Sequence, residues 1–576
     1  MEVKLMKRSG LAALKMVEDE KLIQRLLGEN FITPEDVKLA KEIAARTNKK
    51  ISEVLLDQGL ITPETLATTL GLQLNVPVVD LRNYKVQPKA LALIPEEIAR
   101  KNKVLPLAAD DFTITVAMEN PKDLRVIDLI ANLTKRQVKP VIPLGVSLNE
   151  ALDAHYRLCS QMGEQICQML GQVETKAAPE ALVTPEAIKD SPVVKVVDTL
   201  LSQAVRDKAS DIHIEPQEDR VRVRYRIDGV LQEVTSLPLE VHNAILTRIK
   251  VMGNLNIAER RRPQDGQFSR NINGKQVDFR VATVGSDYGE MAVLRVLDKS
   301  ILLLKLADLG MSPDTLDSYM KLLQAPFGMI LVSGPTGSGK TTTLYASISL
   351  LDAKERNIMT IEDPIEYRFK DINQIQVQPQ AGITFASGLR AIMRLDPDII
   401  LVGEIRDAET ANTAVQAALT GHLVLSSIHA NDAVGAIIRL MDMGIEPFLL
   451  TSAVIGSLSQ RLVRKVCPYC REVKPASPAE VLAYQEVMKE IRTEFYYGQG
   501  CNFCSQTGYR GRIGVFELLT MSDEIRKLVM KERPAAEIKE RAIEEGMIPL
   551  AKDGMLKARE GLTTPSEVIR NVYTII

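Results

Sequence analysis

Residues 334–341 read Gly-Pro-Thr-Gly-Ser-Gly-Lys-Thr and fill every fixed position of the pattern G-x-x-x-x-G-K-[ST]. No other segment constrains the fold as tightly, because the pattern works only where a buried strand runs into a glycine turn and then a helix. The flanks supply both elements. Met329-Ile330-Leu331-Val332 reads as a buried strand, and Thr342 to Leu351 reads as the start of a helix. Glycine lets backbone N–H groups turn inward around phosphate oxygens, and the helix N-terminus adds partial positive charge. Lys340 is placed to reach the β- and γ-phosphates, and the Thr341 hydroxyl to ligate Mg²⁺. The expected nucleotide-binding set is therefore Gly334, Pro335, Thr336, Gly337, Ser338, Gly339, Lys340, Thr341 and Thr342.

At 576 residues the chain exceeds one hydrophobic core and implies three or four domains. Its 72 basic and 74 acidic residues nearly cancel, which removes bulk attraction to nucleic acid or anionic membrane. No apolar run approaches the ~20 residues that span a bilayer; Phe448 to Leu458 is interrupted by Thr451, Ser452, Gly456 and Ser457. The first residues lack the apolar core of a signal peptide. Six cysteines in so long a chain make no disulfide framework and fit a reducing cytosol. The absence of Trp argues against a base-stacking surface.

Along the chain, residues 1–155 carry short amphipathic helical patterns. Phe31-Ile32-Thr33-Pro34-Glu35 and Leu60-Ile61-Thr62-Pro63-Glu64 repeat one another, each with Thr as N-cap and Pro at the first helical position. A strand at Phe112–Ala117 and a helix near Asp123–Leu133 complete an α+β module of helical hairpins and short strands. Residues 156–192 form the expected linker, rich in Ala, Pro and Glu over 172–192. Residues 193–305 begin with a helix and continue as alternating strands; Val221–Ile227 alternates by two and ends in the hairpin signal Asp228-Gly229. Residues 306–576 alternate strands and helices around the glycine loop, as a parallel α/β sheet does.

Three later segments narrow the chemistry. Thr360-Ile361-Glu362-Asp363-Pro364-Ile365-Glu366 ends in a carboxylate cluster. Asp396–Val402 is a buried-strand pattern that delivers Glu404 near its C-terminal end, where open α/β sheets bind ligands. Thr420–His429 is a third strand with polar residues at both ends. In this order the segments resemble the Walker A, aspartate box, Walker B and histidine box of the secretion ATPases of type II secretion and type IV pilus systems, from about residue 190 onward. Ser210–Pro216 and Arg262–Gly266 belong to the same resemblance, which is closest to the pilus-assembly branch.

That resemblance implies a RecA-like P-loop ATPase core preceded by a PAS-like α+β domain. It implies Glu404 as general base or water-orienting residue, Glu362 and Asp363 assisting at water or Mg²⁺, and His429 as a sensor of the γ-phosphate; Lys340 completes the catalytic set. The family usually has Thr where Ser427 and Ala430 stand, and a hydroxyl survives at 427. Glu362 or Asp363 could instead cap a helix, Glu404 could be structural, and His422 reads as a packed residue. Arginines commonly complete such sites, and the resemblance places Arg280 and Arg295 from the second module and Arg390 and Arg394, at i, i+4, in a ring-shaped assembly. A solvated or ion-paired arginine is the alternative for each, and Arg510 and Arg512 are weaker candidates.

Cys467-Pro468-Tyr469-Cys470 and Cys501-Asn502-Phe503-Cys504 form two C-x₂-C pairs, each able to clasp one side of a tetrahedral zinc ion. A redox pair is the alternative. Cys159 and Cys167 match no motif.

The first 150 or so residues resemble the family's platform-docking N-terminal domain, some members of which bind cyclic di-GMP. Leu55, Gly59, Leu66, Leu70 and Gln73 persist, whereas Lys50-Ile51-Ser52 replaces Arg-Leu-Gly. In the first half Lys21-Leu22-Ile23 stands with Asn30 at the Gly position. The departures weaken the case for that ligand.

The family implies a cytoplasmic homohexamer using ATP, Mg²⁺ and Zn²⁺. It would meet the inner membrane through a platform protein and its cytoplasmic adaptor, power pilin polymerisation, and need no nucleic acid. Type II secretion is the near alternative; a zinc-bearing nucleic-acid translocase and a passive nucleotide sensor are the distant ones.

Overall fold

The computed structural model describes residues 22–29, 31–47, 51–74, 76–82, 84, 86–118, 120–144, 147–156, 192–272, 274–297 and 304–572. Most of the expected linker, together with Cys159 and Cys167, lies outside them. The chain divides into two compact units, Met1–Arg157 and Leu158–Ile576.

In the first unit, helices Pro34–Thr47, Ile51–Asp57 and Pro63–Leu74 pack around Leu26, Ala40, Val54 and Leu55. Both copies of the Thr-Pro-Glu repeat start a helix. Thr33 and Asp36 exchange hydrogen bonds (Thr33 N to Asp36 Oδ2, 2.8 Å), and Thr62 Oγ1 accepts from Thr65 N at 3.1 Å. These side chains satisfy N–H groups that a helix start leaves without partners. Strands β1 (Val78–Asp80), β2 (Val104–Ala109), β3 (Thr113–Met118) and β4 (Gln137–Leu144) form one sheet in the order β1-β4-β3-β2. Helix Leu124–Thr134, capped by Asp123, makes the crossover between parallel β3 and β4.

The second unit opens with helix Pro192–Arg206 and an antiparallel sheet ordered β7-β6-β5-β10-β9-β8. Its strands are β5 (Ala209–Pro216), β6 (Val221–Ile227), β7 (Val230–Leu237), β8 (Gln264–Ile272), β9 (Lys275–Ser286) and β10 (Gly289–Leu297). Alternation sets its faces. Val221, Val223 and Tyr225 are fully buried under helices Pro192–Arg206 and His242–Met252, while Arg222, Arg224 and Arg226 turn the other way. The Asp228-Gly229 turn joins β6 to β7 with both residues at positive φ, 50° and 86°.

A seven-stranded sheet follows, ordered β13-β12-β14-β15-β11-β16-β19. Its strands are β11 (Gly328–Ser333), β12 (Ile358–Glu362), β13 (Asn373–Gln376), β14 (Ile399–Ile405), β15 (Leu423–Ile428), β16 (Val454–Val466) and β19 (Tyr509–Thr520). Every pairing is parallel except β16 with β19. Helices cover both faces, so the central strands read as continuous apolar runs. Met329, Leu331, Ile400 and Val402 enter one core, and Ile330, Val332, Ile399 and Leu401 enter the other. β17 (Arg471–Pro475) and β18 (Glu494–Gly498) form a separate two-stranded ribbon.

The second module also holds a buried ion pair, Lys250 Nζ to Glu290 Oε1 at 2.6 Å, with 2% and 7% side-chain exposure. Removing one partner strands a charge; replacing both does not. Lys250→Met should destabilise the protein by about 3 kcal/mol, and adding Glu290→Leu should recover most of that loss. Denaturant midpoints check this, and equal losses in the single and double variants would refute it.

Candidate active site

The glycine loop leaves β11 at Ser333 and enters helix Lys340–Ile348. Gly334, at φ 148°, has no room for a side chain: a Cβ would lie 2.6 Å from the Gln460 carbonyl oxygen and from Ser338 Oγ. At Gly339, φ 92°, a Cβ would lie 3.1 Å from Gln460 Nε2, a tight approach. Gln460 is a buried side chain on β16 that sequence reasoning missed. Its Nε2 donates to the Ser338 carbonyl at 2.7 Å, and its Oε1 accepts from Thr343 Oγ1 at 2.8 Å. One amide thus ties the loop to the first turn of the helix. Pro335, Thr336, Gly337 and Thr341 are exposed at the mouth, whereas Ser338 is buried.

Lys340 folds back on the loop and donates to the Gly334 and Pro335 carbonyls at 2.8 and 3.1 Å. Burial lowers its pKa; the Glu404 carboxylate opposes that and the Arg461 guanidinium adds to it. Glu404 rides β14 where the register with β15 shifts between Val402 and Ile405. Such irregularities re-aim side chains beside active sites. Its carboxylate pairs with Arg406 and lies 3.8 Å from His429 Nε2. Burial, then the nearby Lys340 charge, holds the His429 pKa below its ordinary value, which favours the neutral imidazole. Ser427 Oγ donates to the Gly403 carbonyl at 2.7 Å, so the retained hydroxyl fastens the strand segment that carries Glu404. His422 is bonded through Nδ1 to the Ala417 carbonyl at 2.8 Å, as a packed residue is.

Glu362, expected to assist at water or metal, is held in the core. It is 3% exposed and accepts from Tyr345 Oη, from Thr360 Oγ1 at 2.5 Å and from Gln374 Nε2 at 3.0 Å. Three donors saturate a carboxylate that the core would otherwise penalise. Its neighbour Asp363 is exposed, and its charge acts on Arg406.

The four candidate arginines separate into two places. Arg280 and Arg295 stand directly opposite each other on β9 and β10 and line a cavity of about 530 Å³ with Asp211 and Gln267. Arg280 makes a two-pronged pair with Glu366 (3.2 and 3.0 Å), and Arg295 Nε bonds Asp211 Oδ1 at 3.2 Å. Like charges opposite one another on a sheet repel, and these carboxylates offset that repulsion. Arg390 instead pairs with Glu409 at 2.7 Å, and with Arg394 it lines an outer groove of about 550 Å³ between helices Phe385–Ile392 and Ala408–Leu419. No residue of the glycine loop borders that groove. Arg394 falls two residues beyond the end of helix Phe385–Ile392, yet it lines the same groove as Arg390. Arg512 Nε lies 3.8 Å from Asp228, and the Arg510 guanidinium lies over the Tyr469 ring.

The four cysteines converge. Their Sγ atoms all lie within 4.8 Å of one another; Cys467–Cys501 and Cys470–Cys504 are 3.9 Å apart and Cys501–Cys504 3.7 Å. Tetrahedral zinc–sulfur bonds of about 2.3 Å place ligands about 3.8 Å apart, so the cluster has the span of a zinc site and is too open for disulfides. The Cys504 thiol is pulled down to about 4, first by the Cys467 thiol and then, against burial, by the N–H groups of Cys501 and Gly508.

In the first unit, Leu55 is a core residue with Leu66 packed against the same cluster, and Gly59 adopts φ 66°. Lys21, Asn30 and Lys50 and the side chains of Leu70 and Gln73 lie outside the described residues.

Gln460→Leu removes both hydrogen bonds of the loop clamp and leaves the Ser338 carbonyl and Thr343 hydroxyl without them. Nucleoside triphosphate affinity should fall at least about tenfold, the equivalent of one such unmet partner. Gln460→Glu, which still accepts from Thr343 but cannot donate, should fall between. Calorimetric titration checks this; an unchanged dissociation constant in both variants would remove Gln460 from the site.

Residues 186–570 match the family described as Type II/IV secretion system protein, and residues 74–159 match the MshEN domain. The latter covers the sheet-bearing part of the first unit rather than the repeat at 31–73. The chain is 40% identical over 562 residues to the type IV pilus assembly ATPase PilB of Myxococcus xanthus, covering 96% of this chain and 98% of the relative. It is 38% identical over 562 residues to the type II secretion system protein E of Xanthomonas campestris, with the same shares covered. It is 49% identical over 381 residues to the type II secretion system protein E of Klebsiella pneumoniae, 66% of this chain and 76% of that one. The chain belongs to the type II/IV secretion system protein family and is an ATPase of that family.

Proposed function

We propose that the chain works as a cytoplasmic homohexamer that hydrolyses ATP to power type IV pilus assembly. In this reading it meets the inner membrane through a platform protein and its cytoplasmic adaptor. The observation that carries the catalytic part is the convergence of Lys340, Glu404 and His429 on one glycine loop. Near-complete coverage of the pilus-assembly ATPase of Myxococcus xanthus supports the cellular part. Type II secretion is the second reading, favoured by an alignment of equal extent to a secretion protein E. Among the described residues no helix is long and apolar enough to cross a membrane, which fits attachment through partners.

The geometry supports a role for each residue. Lys340 supplies positive charge at the loop mouth, and Thr341 and Asp363 are the exposed oxygens suited to hold Mg²⁺, which would neutralise phosphate charge. Glu404 orients and polarises the attacking water, with Arg406 and His429 fixing its carboxylate. Glu362 acts as a positioning residue that fixes the end of β12 below Asp363. Arg280 and Arg295, brought from another module, exchange Glu366 and Asp211 for phosphate oxygens when the nucleotide is held. That exchange gives hydrolysis a mechanical consequence, because it moves one module against the other. Cys467, Cys470, Cys501 and Cys504 would hold zinc as a closed structural site, since four thiolates leave no open position.

Glu404→Gln should lower kcat at least about 100-fold while ATP still binds, since the lost group acts on water rather than on the phosphates. A rate within threefold of the parent would defeat the assignment. In cells the same substitution should abolish surface pili and leave exoprotein release intact; the opposite pattern would select the secretion reading.

The purified chain should contain one zinc per protomer by elemental analysis. Cys470→Ser should lose it and lower the melting temperature, because binding energy at a structural zinc is folding energy. A metal-free protein of unchanged stability would return the cluster to the redox alternative.

A further inference from the structure

His429 stands one residue past the end of β15, and helix Ala433–Asp442 begins four residues later. The segment between them is pinned at both ends. At one end Ile428 pairs with Ser333 of β11, the residue that precedes the glycine loop. At the other end Ala433 N donates to Glu517 Oε1 at 2.9 Å, and Asp432 Oδ2 accepts from Lys539 Nζ at 2.9 Å. Glu517 comes from β19 and Lys539 from helix Ala535–Glu544, so neither belongs to the strands that deliver Glu404 and His429. We propose that Glu517 and Lys539 are positioning residues for His429: by fixing where helix Ala433–Asp442 starts, they hold the imidazole within reach of Glu404. The proposal rests on the reading of His429 as a sensor of the γ-phosphate.

Distance decides how much the second anchor matters. Only Ala430, Asn431 and Asp432 separate His429 from Ala433, and so short a link spans at most about 14 Å. Slack at Ala433 therefore passes to His429. Its Nε2 lies 3.8 Å from Glu404, near the outer limit of an ion pair. A shift of about 1 Å carries it out of reach, and misplacements of that size are costly in a catalytic site. The other ties are weaker or shared. Ser333 Oγ reaches the Asp432 carbonyl only at 3.4 Å, a long hydrogen bond. Arg461 Nη2 donates to the Asn431 carbonyl at 2.6 Å, but Arg461 also lines the cavity beside the glycine loop, and its charge acts on Lys340.

The burial of Glu517 points the same way. A carboxylate in the core is expensive unless donors surround it. Glu517 is 1% exposed and meets N–H groups at two helix starts, Ala433 and Leu550 (3.2 Å), with Lys539 Nζ at 3.9 Å. Helix starts favour negative charge. Stability alone does not require the arrangement, since buried ionic sets replaced together by apolar residues often lose nothing. What the carboxylate adds is direction: it ties one N–H of each helix to a point on β19. The helix that supplies Lys539 is thereby joined to the segment that carries His429.

The test measures the preference of the full chain for a hydrolysis-resistant ATP analogue over ADP, by calorimetric titration with Mg²⁺. Lys539→Met removes the charge, and Asp432→Asn removes its partner while keeping the oxygen that accepts from Gly435 N. Each should lower the preference at least about threefold and leave the Kd for ADP within about twofold, which also reports a folded glycine loop. Lys539→Arg should retain the parent preference. In a His429→Ala background Lys539→Met should add no further loss, because both changes act through one imidazole. An unchanged preference in both Lys539→Met and Asp432→Asn, losses that add in the double variant, or equal weakening of ADP overturns the proposal. An unchanged preference in His429→Ala alone defeats the sensor reading itself, whatever the Lys539 variants do.

Discussion

Between the glycine loop and the strand beside it lies one buried amide on which the rest of the site depends. Gln460 donates to Ser338 and accepts from Thr343, and its backbone crowds Gly334 so closely that no other residue fits there. A loop whose function is to present backbone N–H groups gains nothing from flexibility, since the hydrogen bonds must stand ready before the charge arrives. Gln460 supplies that rigidity from outside the loop. It can do so because β11 and β16 pair in register from Ile330 to Ser333, which brings Gln460 one step past the last paired residue.

Around this fixed point the charges are arranged in partly exposed pairs. Glu404 sits between Arg406 and His429, Arg280 is held by Glu366, and Arg295 by Asp211. Each pair is at least partly exposed, so each is weak enough to be replaced by a stronger anion. The tightly buried charges behave differently. Glu362 is saturated by three donors, and Glu517 is pushed up by burial while it accepts from Ala433 N and Leu550 N. The molecule thus separates buried carboxylates that build the frame from carboxylates held in partly exposed ion pairs.

Much of the frame was legible in the chain. Continuous apolar runs marked the strands buried on both faces, Val221–Ile227 announced its faces by alternation, and Asp228-Gly229 announced its turn. Each of these signals is local, because side-chain periodicity and positive φ are properties of a few consecutive residues. The surroundings of Glu362 were not legible for the complementary reason. Tyr345, Thr360 and Gln374 close around its carboxylate, and Gln374 comes from a different strand. Arg390 and Arg394 line one groove as their four-residue spacing suggests, but the spacing could not show that Glu409 pairs with the first of them.

By itself the sequence pointed to a triphosphate loop at 334–341, put Glu404 near the end of a buried strand, and set four cysteines in two clasping pairs. Those conclusions rest on spacing along the backbone, which folding does not alter. Tertiary structure alone decided which side of β11 faces the carboxylates, that Gln460 braces the loop, and that Glu366 and Asp211 hold the arginines. Each of these joins residues tens to hundreds of positions apart, and only the strand order of the sheet and the packing of one module on another bring them within a hydrogen bond.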